Sequence, residues 1–203
     1  MRIRLLLLLS WLAVVSLPIL GQDRLYPVRR TDRPIIFTSD RSGIVVEKTL
    51  QHKLTLGFPK DEMSVLPDTD APIIALWLRI QNTSRSTMNV DVTRFSYVDE
   101  TGKTYSALPP QEAVNQIVAG MSRGSIATKA LRGISLGKVG DAPPEEVVKN
   151  HVLLYSLQSG EIQSRVVKEG IVYFPRPPQK KFTINVTLGD LWSQPLTFST
   201  EKQ

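Results

Sequence analysis

Residues 71–110 read APIIALWLRIQNTSRSTMNVDVTRFSYVDETGKTYSALPP, and the strand pattern of the chain is clearest there. Apolar side chains recur at every second position from Ile74 to Ile80, which is the spacing of a strand with one buried face. Turn-forming residues follow at positions 82–86 and 99–102, where Asn, Ser, Asp and Gly favour chain reversal. The stretch therefore predicts three successive antiparallel strands joined by two hairpins.

The strand pattern continues upstream, where residues 43–47 and 48–58 predict two more strands. The apolar residues of the second of these strands share one face with a histidine: Leu50, His52, Leu54, Leu56 and Phe58. Within residues 88–97 the apolar positions change phase. A β-bulge near Thr93 and Arg94 would keep all of them on the core side.

Strands are also predicted downstream, at residues 170–174, 182–188 and 195–199, with a turn at residues 189–192 before the last of them. All of these segments are short, alternate in hydrophobicity and are separated by turn residues. That pattern is typical of a mainly β, antiparallel domain.

Residues 109–160 interrupt the β pattern and predict a helical insertion between the central and C-terminal strands. A short helix is predicted at residues 111–119. A stronger one is predicted at residues 143–158, because prolines and glutamates suit its first turn and Gly160 is placed to end it. Its apolar stripe would lie on the sheet: Val147, Val148, His151, Val152 and Tyr155.

The first 21 residues combine Arg2 and Arg4 with a long apolar run, which is the pattern of an export signal. Ile19 fits the small-residue cleavage pattern poorly, so an uncleaved membrane anchor remains an alternative. We therefore expect three parts: a signal at residues 1–21, an extended basic linker or arm at residues 22–42, and a β domain with its insertion at residues 43–200.

The chain of 203 residues has no cysteine, which excludes disulfides, thiolate metal sites and lipidation of a cysteine. A cysteine-free exported chain fits a periplasmic or secreted protein of a bacterial envelope. The formal net charge of +6 falls to +4 for a chain that begins at Gln22. The arm at residues 22–42 is either a weak contact to a membrane surface or a solvated linker, and the second reading is favoured; a nucleic-acid partner is not expected.

The sequence contains few residues in arrangements suited to catalysis. The two histidines, His52 and His151, both lie on predicted apolar faces, and no G-x-S-x-G motif occurs. Two histidines without cysteine are too few for a nitrogen or sulfur metal site. Acidic residues at positions 68 and 70 and at positions 99 and 100 could supply oxygen to calcium. The first pair lacks the spacing and glycine of a calcium loop, and the second is explained by its turn. We expect no enzyme activity, no metal and no cofactor.

Three segments resemble the bacterial secreted telokin-like, immunoglobulin-like β-sandwich domains of unknown function. They are LRIQNTS at residues 78–84, FSYVDETGKTY at residues 95–105 and KEGIVYFP at residues 168–175. The resemblance implies an immunoglobulin-like β-sandwich and implies nothing about activity.

Two functions of different classes remain open. The favoured one is an exported, non-catalytic β-sandwich that binds a protein partner in the envelope through its insertion or a strand edge. The alternative is a module that binds a small molecule or glycan, or a minor hydrolase, with a cleft under the insertion. The candidate interface residues are Trp77, Trp192, Val148 and Tyr155. Trp77 lies out of phase with the core face, so it either packs under the insertion or anchors a partner.

Overall fold

The computed structural model describes residues 25–28, 45–57, 72–121, 144–192 and 194–201, and these residues form strands and two helices. The strands are β1 (Tyr26–Pro27), β2 (Val45–Lys48), β3 (His52–Gly57), β4 (Ile73–Asn82), β5 (Met88–Val90), β6 (Phe95–Asp99), β7 (Thr104–Ser106), β8 (Gly160–Ile162), β9 (Val167–Pro175), β10 (Thr183–Leu188) and β11 (Leu196–Ser199). The helices are α1 (Pro110–Met121) and α2 (Pro144–Tyr155), and 3₁₀ turns occur at Val92–Arg94 and Gly189–Leu191. The chain is thus mainly β, as the sequence predicts.

The strands form antiparallel sheets. One sheet has the order β1-β11-β10-β6-β7 and a second has the order β2-β3-β4-β9, while β5 and β8 pair with each other. The predicted hairpin at residues 99–102 is confirmed, because β6 pairs with β7 across it.

The larger hydrophobic cluster of the described residues draws on both larger sheets. The alternating residues of β4 enter it together with those of β10, so Leu76, Leu78, Ile184 and Val186 are all buried in one cluster. Burial of this kind contributes roughly 25 cal/mol per Å² of apolar surface. The period-2 pattern read from the sequence therefore marks the residues that hold the two sheets together.

The two helices cover the other face of the β4–β9 pair. Val114 and Ile117 of α1 and Val148 and Val152 of α2 pack against Ile73, Ile171 and Tyr173 in a second hydrophobic cluster. The residues that flank the helices are fixed to β9 as well: the Leu108 N–H donates to the Tyr173 carbonyl at 2.7 Å, and the Leu157 N–H donates to the Ile171 carbonyl at 2.9 Å. The helical layer is therefore fastened to one strand at both ends.

The first predicted hairpin, at residues 82–86, does not form. β4 pairs with β3 and β9, whereas β5 pairs with β8, so the chain leaves the sheet after Asn82. The predicted bulge near Thr93 is also wrong. A 3₁₀ turn at Val92–Arg94, whose Thr93 N–H donates to the Asp91 carboxylate at 3.1 Å, separates β5 from β6 and accounts for the change of phase.

Three further positions differ from the sequence prediction. Residues 48–58 are not one strand, because the chain turns at residues 49–51 and leaves Leu50 98% exposed. Gly160 opens β8 with φ of 133° instead of ending α2, which stops at Tyr155. Residues 25–28, inside the predicted linker, join the β domain, since β1 pairs with β11 and Leu25 is buried. Phe58 lies outside the described residues, and so do residues 29–44, which include the rest of the predicted linker.

Candidate functional site

Three chain connections meet at one end of the β2-β3-β4-β9 sheet and form the surface that we call the loop end, defined as residues 48–53, 82–88 and 163–168. The connections belong to different parts of the sequence and are joined by main-chain hydrogen bonds. The Asn82 N–H donates to the Val166 carbonyl at 3.0 Å, and the Arg165 N–H donates to the Asn82 carbonyl at 2.9 Å. The loop end is therefore one connected surface.

Asn82 organises the loop end from inside. Its side chain is fully buried, and its Nδ2 donates to the carbonyls of Ser86 at 2.8 Å and Ile162 at 3.0 Å. Its Oδ1 accepts from the Ser84 N–H at 3.0 Å and from the Ser84 hydroxyl at 2.7 Å. Because all four of its ordinary hydrogen-bonding positions are used, the amide fixes the loops on either side of it.

The turn at residues 49–51 is held against the same loops. The Thr49 hydroxyl accepts from the N–H groups of Gln51 and His52, at 3.2 and 3.1 Å. The Gln51 carbonyl in turn accepts from the N–H groups of Thr83 and Ser84, at 2.9 and 3.0 Å. These bonds leave the Leu50 side chain without cover at the tip of the turn.

The loop end combines exposed apolar side chains with positive charge. Leu50 is 98% exposed, Val166 46% and Val167 37%. Around them the loop-end residues include five basic side chains and no carboxylate: Lys48, Lys53, Arg85, Arg165 and Lys168. Partial burial lowers the pKa of Lys168 from its ordinary value. A surface that combines an exposed leucine with basic side chains and no carboxylate is suited to an anionic surface.

His52 lies behind this surface, on the inner face of β3, where it is buried. Neither ring nitrogen makes a hydrogen bond among the described residues. Burial lowers the pKa of His52, and the nearby backbone of Leu191 opposes that shift without reaching hydrogen-bond geometry. The residue is a packed histidine, and the described residues offer its ring no hydrogen-bond partner of the kind that orients a catalytic base.

The helical layer offers a second surface. Val148 and Val152 bury one side of α2, whereas Leu153 and Leu154 on the same helix are 40% and 73% exposed. Tyr155 is half-buried, and its ring lies 4.5 Å from the ring of His151. Helix α2 is therefore apolar on two sides, although only one of them is covered.

The four residues predicted from the sequence as an interface do not form one exposed patch. Val148 is fully buried and Trp77 is 7% exposed, while Tyr155 and Trp192 are half-buried. Trp192 packs against the core between the sheets, and Tyr155 packs against the helical cluster. Their interface role stays a prediction. The leucines at positions 50, 153 and 154, which are the exposed ones, were not singled out by the sequence patterns.

Two buried donors lie on the helix-facing side of the sheet. Trp77 is paired with Ile171, which places Tyr173 diagonally across from it on the same face. Neither the Trp77 Nε1 nor the Tyr173 hydroxyl has a hydrogen-bond partner among the described residues. Burial also raises the pKa of Tyr173. Such unsatisfied groups cost roughly 1–3 kcal/mol each, so their presence calls for a physical reason.

The acidic pair at residues 99 and 100 is explained by its turn. One oxygen of Asp99 accepts from the Thr101 hydroxyl at 2.6 Å and from the N–H groups of Thr101 at 2.9 Å and Lys103 at 3.0 Å, and the other accepts from the Tyr105 hydroxyl at 3.2 Å. These bonds lower the pKa of Asp99. The described residues contain no group of three potential metal ligands, and positions 68 and 70 lie outside them.

No protein-family model matches the chain, and no curated protein matches it. Among solved structures, the yjhA protein of Bacillus subtilis is similar over 70% of this chain and 77% of its own, with 10% identity and a TM-score of 0.36. The ycdA protein of Bacillus subtilis is similar over 76% of this chain but only 37% of its own, with 13% identity and a TM-score of 0.37. A functionally unknown protein of Listeria monocytogenes has 10% identity and a TM-score of 0.27, over 70% of this chain and 63% of its own. Similarity at this level assigns neither a family nor a function.

Proposed function

We propose that the chain is an exported, non-catalytic protein of the bacterial envelope with an immunoglobulin-like β-sandwich, and that it binds a protein partner through the outer side of α2. The observation that carries the proposal is the exposure of Leu153 and Leu154 on a helix whose opposite side is already buried. Adjacent exposed leucines on a fixed helix are typical of the apolar centre of a protein interface.

The surroundings of the two leucines support this use. Tyr155 follows them with part of its ring exposed, and tyrosines are frequent anchors in interfaces. The helix does not need to fold on binding, because its other side packs on β9 and its C-terminal end is tied to Ile171. A partner would therefore meet a preformed surface, which reduces the entropy lost on association.

Export is supported by the signal pattern at residues 1–21, which lies outside the described residues. Within the described part of the chain, neither helix has the length and hydrophobicity that crossing a bilayer requires.

The proposal is tested by affinity capture of the tagged protein from crosslinked envelopes of its host, with each co-purifying protein quantified. We expect one partner at near-stoichiometric abundance, reduced at least about tenfold by the double substitution Leu153→Ser and Leu154→Ser. Leu50→Ser is the matched control, because it removes an exposed leucine from a different surface. Equal capture by the wild type and the double variant would show that α2 is not the interface.

A ligand-binding function is the second candidate, and the unpaired donors Trp77 Nε1 and Tyr173 hydroxyl favour it. A ligand carrying a carbonyl or carboxylate oxygen would satisfy both donors if the helical layer moved aside to admit it. A thermal-shift screen tests this directly. A ligand that stabilises the wild type and not Tyr173→Phe would support the site, whereas equal stabilisation of both proteins would exclude it.

A further inference from the structure

The loop end is an unusual surface among the described residues, because its most exposed apolar side chain, Leu50, stands at the tip of a turn and not in a groove. Leu50 is 98% exposed, and Val166 and Val167 are partly exposed on the connection to β9. Every charged side chain of the loop end is basic. From this arrangement we infer that the loop end docks onto an anionic lipid bilayer, with Leu50 entering the boundary between headgroups and acyl chains.

The chemistry of the loop end matches the two layers that a protein meets at a bilayer surface. A projecting leucine gains from entering the acyl boundary, and lysine and arginine side chains extend to place their charges at the phosphates. Arg85 and Arg165 are fully available for this, since both are exposed. The loop end has no carboxylate, so a negatively charged membrane surface has no like charge there to repel.

The loops are held in place before they meet the membrane. Asn82 bonds to Ser84, Ser86 and Ile162 through its side chain, and the Gln51 carbonyl accepts two N–H groups from the neighbouring connection. Docking therefore orders only the ends of side chains, so most of the hydrophobic and electrostatic gain appears as affinity.

The loop end lies at the opposite end of the β domain from the place where the N-terminal segment enters it. Tyr26 pairs with Ser199, and Ser199 also pairs with Thr183. Thr183 precedes Ile184, which pairs with Asp99 at the far end of the sheets. The ten residues of β4 separate that end from the loop end by roughly 33 Å. The loop end is therefore separate from the point at which residues 25–28 join the sheet, and it shares no residue with the proposed partner site on α2.

Site-specific fluorescence tests the inference, because the natural chain has no cysteine that would compete for the label. An environment-sensitive dye is attached to Gln51→Cys, beside an unchanged Leu50, and in a second sample to Lys180→Cys at the far end. The probe is a vesicle of phosphatidylcholine with about one-third phosphatidylglycerol, compared with phosphatidylcholine alone. We expect the dye at position 51 to report an apolar environment only with anionic vesicles, and the dye at position 180 to stay in water. If the dye at position 51 stays in water in the presence of anionic vesicles, the inference is overturned. This holds even if residues 1–21 are retained and hold the protein on the vesicles.

Vesicle-binding titrations of variants separate the two contributions. Leu50→Ser is expected to weaken binding about tenfold, and Arg85→Glu with Arg165→Glu at least about 25-fold. The matched controls Leu154→Ser and Lys149→Glu with Lys180→Glu change the same residue types elsewhere and should bind as the wild type does. Circular dichroism melts confirm that each variant is folded. Equal weakening by the controls, or no binding of wild type to anionic vesicles, would refute the inference and leave the loop end to an acidic protein surface.

Discussion

Gly170 is the residue at which a single added methyl group should disturb the fold most clearly. After α2 the chain crosses the edge of the sheet at Leu157, whose side chain enters the core between the sheets. A Cβ on residue 170 would lie 2.6 Å from both the N and the Cα of Leu157 and 3.0 Å from the carbonyl carbon of Ser156. Ordinary contacts of a Cβ begin at 3.4 Å. Gly170→Ala therefore requires the main chain at Leu157 to move.

The size of the effect follows from what that movement breaks. Forcing extra volume into a packed site costs roughly 1–3 kcal/mol. The shift also weakens the bond from the Leu157 N–H to the Ile171 carbonyl, now 2.9 Å, which contributes about 1 kcal/mol. We expect Gly170→Ala to lower the free energy of unfolding by about 3 kcal/mol. For a chain of this length that corresponds to a fall in melting temperature of about 9 °C.

Urea denaturation and thermal melts, followed by circular dichroism, measure this loss. Gly102→Ala is the matched control, because Gly102 has φ of 82° and nothing within 4 Å of an added Cβ, so only backbone strain of about 1 kcal/mol applies. The expected order of stability is wild type, then Gly102→Ala, then Gly170→Ala. If Gly170→Ala is as stable as Gly102→Ala, the close approach of Leu157 does not constrain the fold and the reasoning is wrong.

Further substitutions test the buried polar groups. Asn82→Ala should lower the free energy of unfolding by about 2–3 kcal/mol in urea titrations, since it removes the side-chain bonds to the Ser86 and Ile162 carbonyls and to Ser84. An unchanged urea midpoint would contradict its central role. Tyr173→Phe should raise stability by about 1 kcal/mol in the same assay, because it removes a buried hydroxyl that has no partner among the described residues; a loss would indicate a hydrogen bond that we have not identified. Burial lowers the pKa of His52 in the folded protein, so the unfolded chain takes up a proton on this histidine first as the pH falls below 6.5. The stability contributed by the neutral ring is therefore complete above that pH and is lost as the pH falls toward the folded-state pKa. His52→Phe should flatten this part of the profile of urea midpoint against pH, and a profile identical to that of the wild type would exclude His52 as its origin. Asp99→Ala should destabilise the β6–β7 hairpin, seen as faster hydrogen exchange of the Thr101 and Lys103 amides, and unchanged exchange would show that the turn forms without the carboxylate.

The sequence predicted the long strands well because their evidence is local. β4 and β10 each alternate over several residues, and one face of each strand enters the common core. The helices were also predicted to within a few residues, since the prolines before them and the apolar stripe of α2 are visible without knowledge of the fold. In contrast, Gly160 was assigned to a helix end by residue preference alone, whereas α2 stops at Tyr155 because the following residues pair with β9.

Pairing partners and unusual turns could not be read in the same way. Residues 82–86 contain turn-forming side chains, but those side chains do not reveal that β4 lies between β3 and β9 and has no edge left for β5. Leu50 continues the spacing of Leu54 and Leu56, so the pattern placed it inside. The turn at residues 49–51 has no glycine, proline, asparagine or aspartate, and it depends on the hydroxyl of Thr49. Hydrophobic periodicity therefore could not predict the loop end.

The two inferred surfaces can act at the same time, because the loop end and helix α2 share no residue. The helical layer packs near Ile73 at the start of β4, and the loop end begins at Asn82, where β4 finishes. A bilayer held at the loop end would leave the exposed leucines of α2 available to a partner near the membrane. If both proposals hold, Leu50→Ser should release the protein from anionic vesicles without changing partner affinity in solution, and the Leu153→Ser, Leu154→Ser variant should do the reverse. Because the substituted residues lie on different elements, the effects of combining them are expected to add, and a clear departure from additivity would mean that the two surfaces are one.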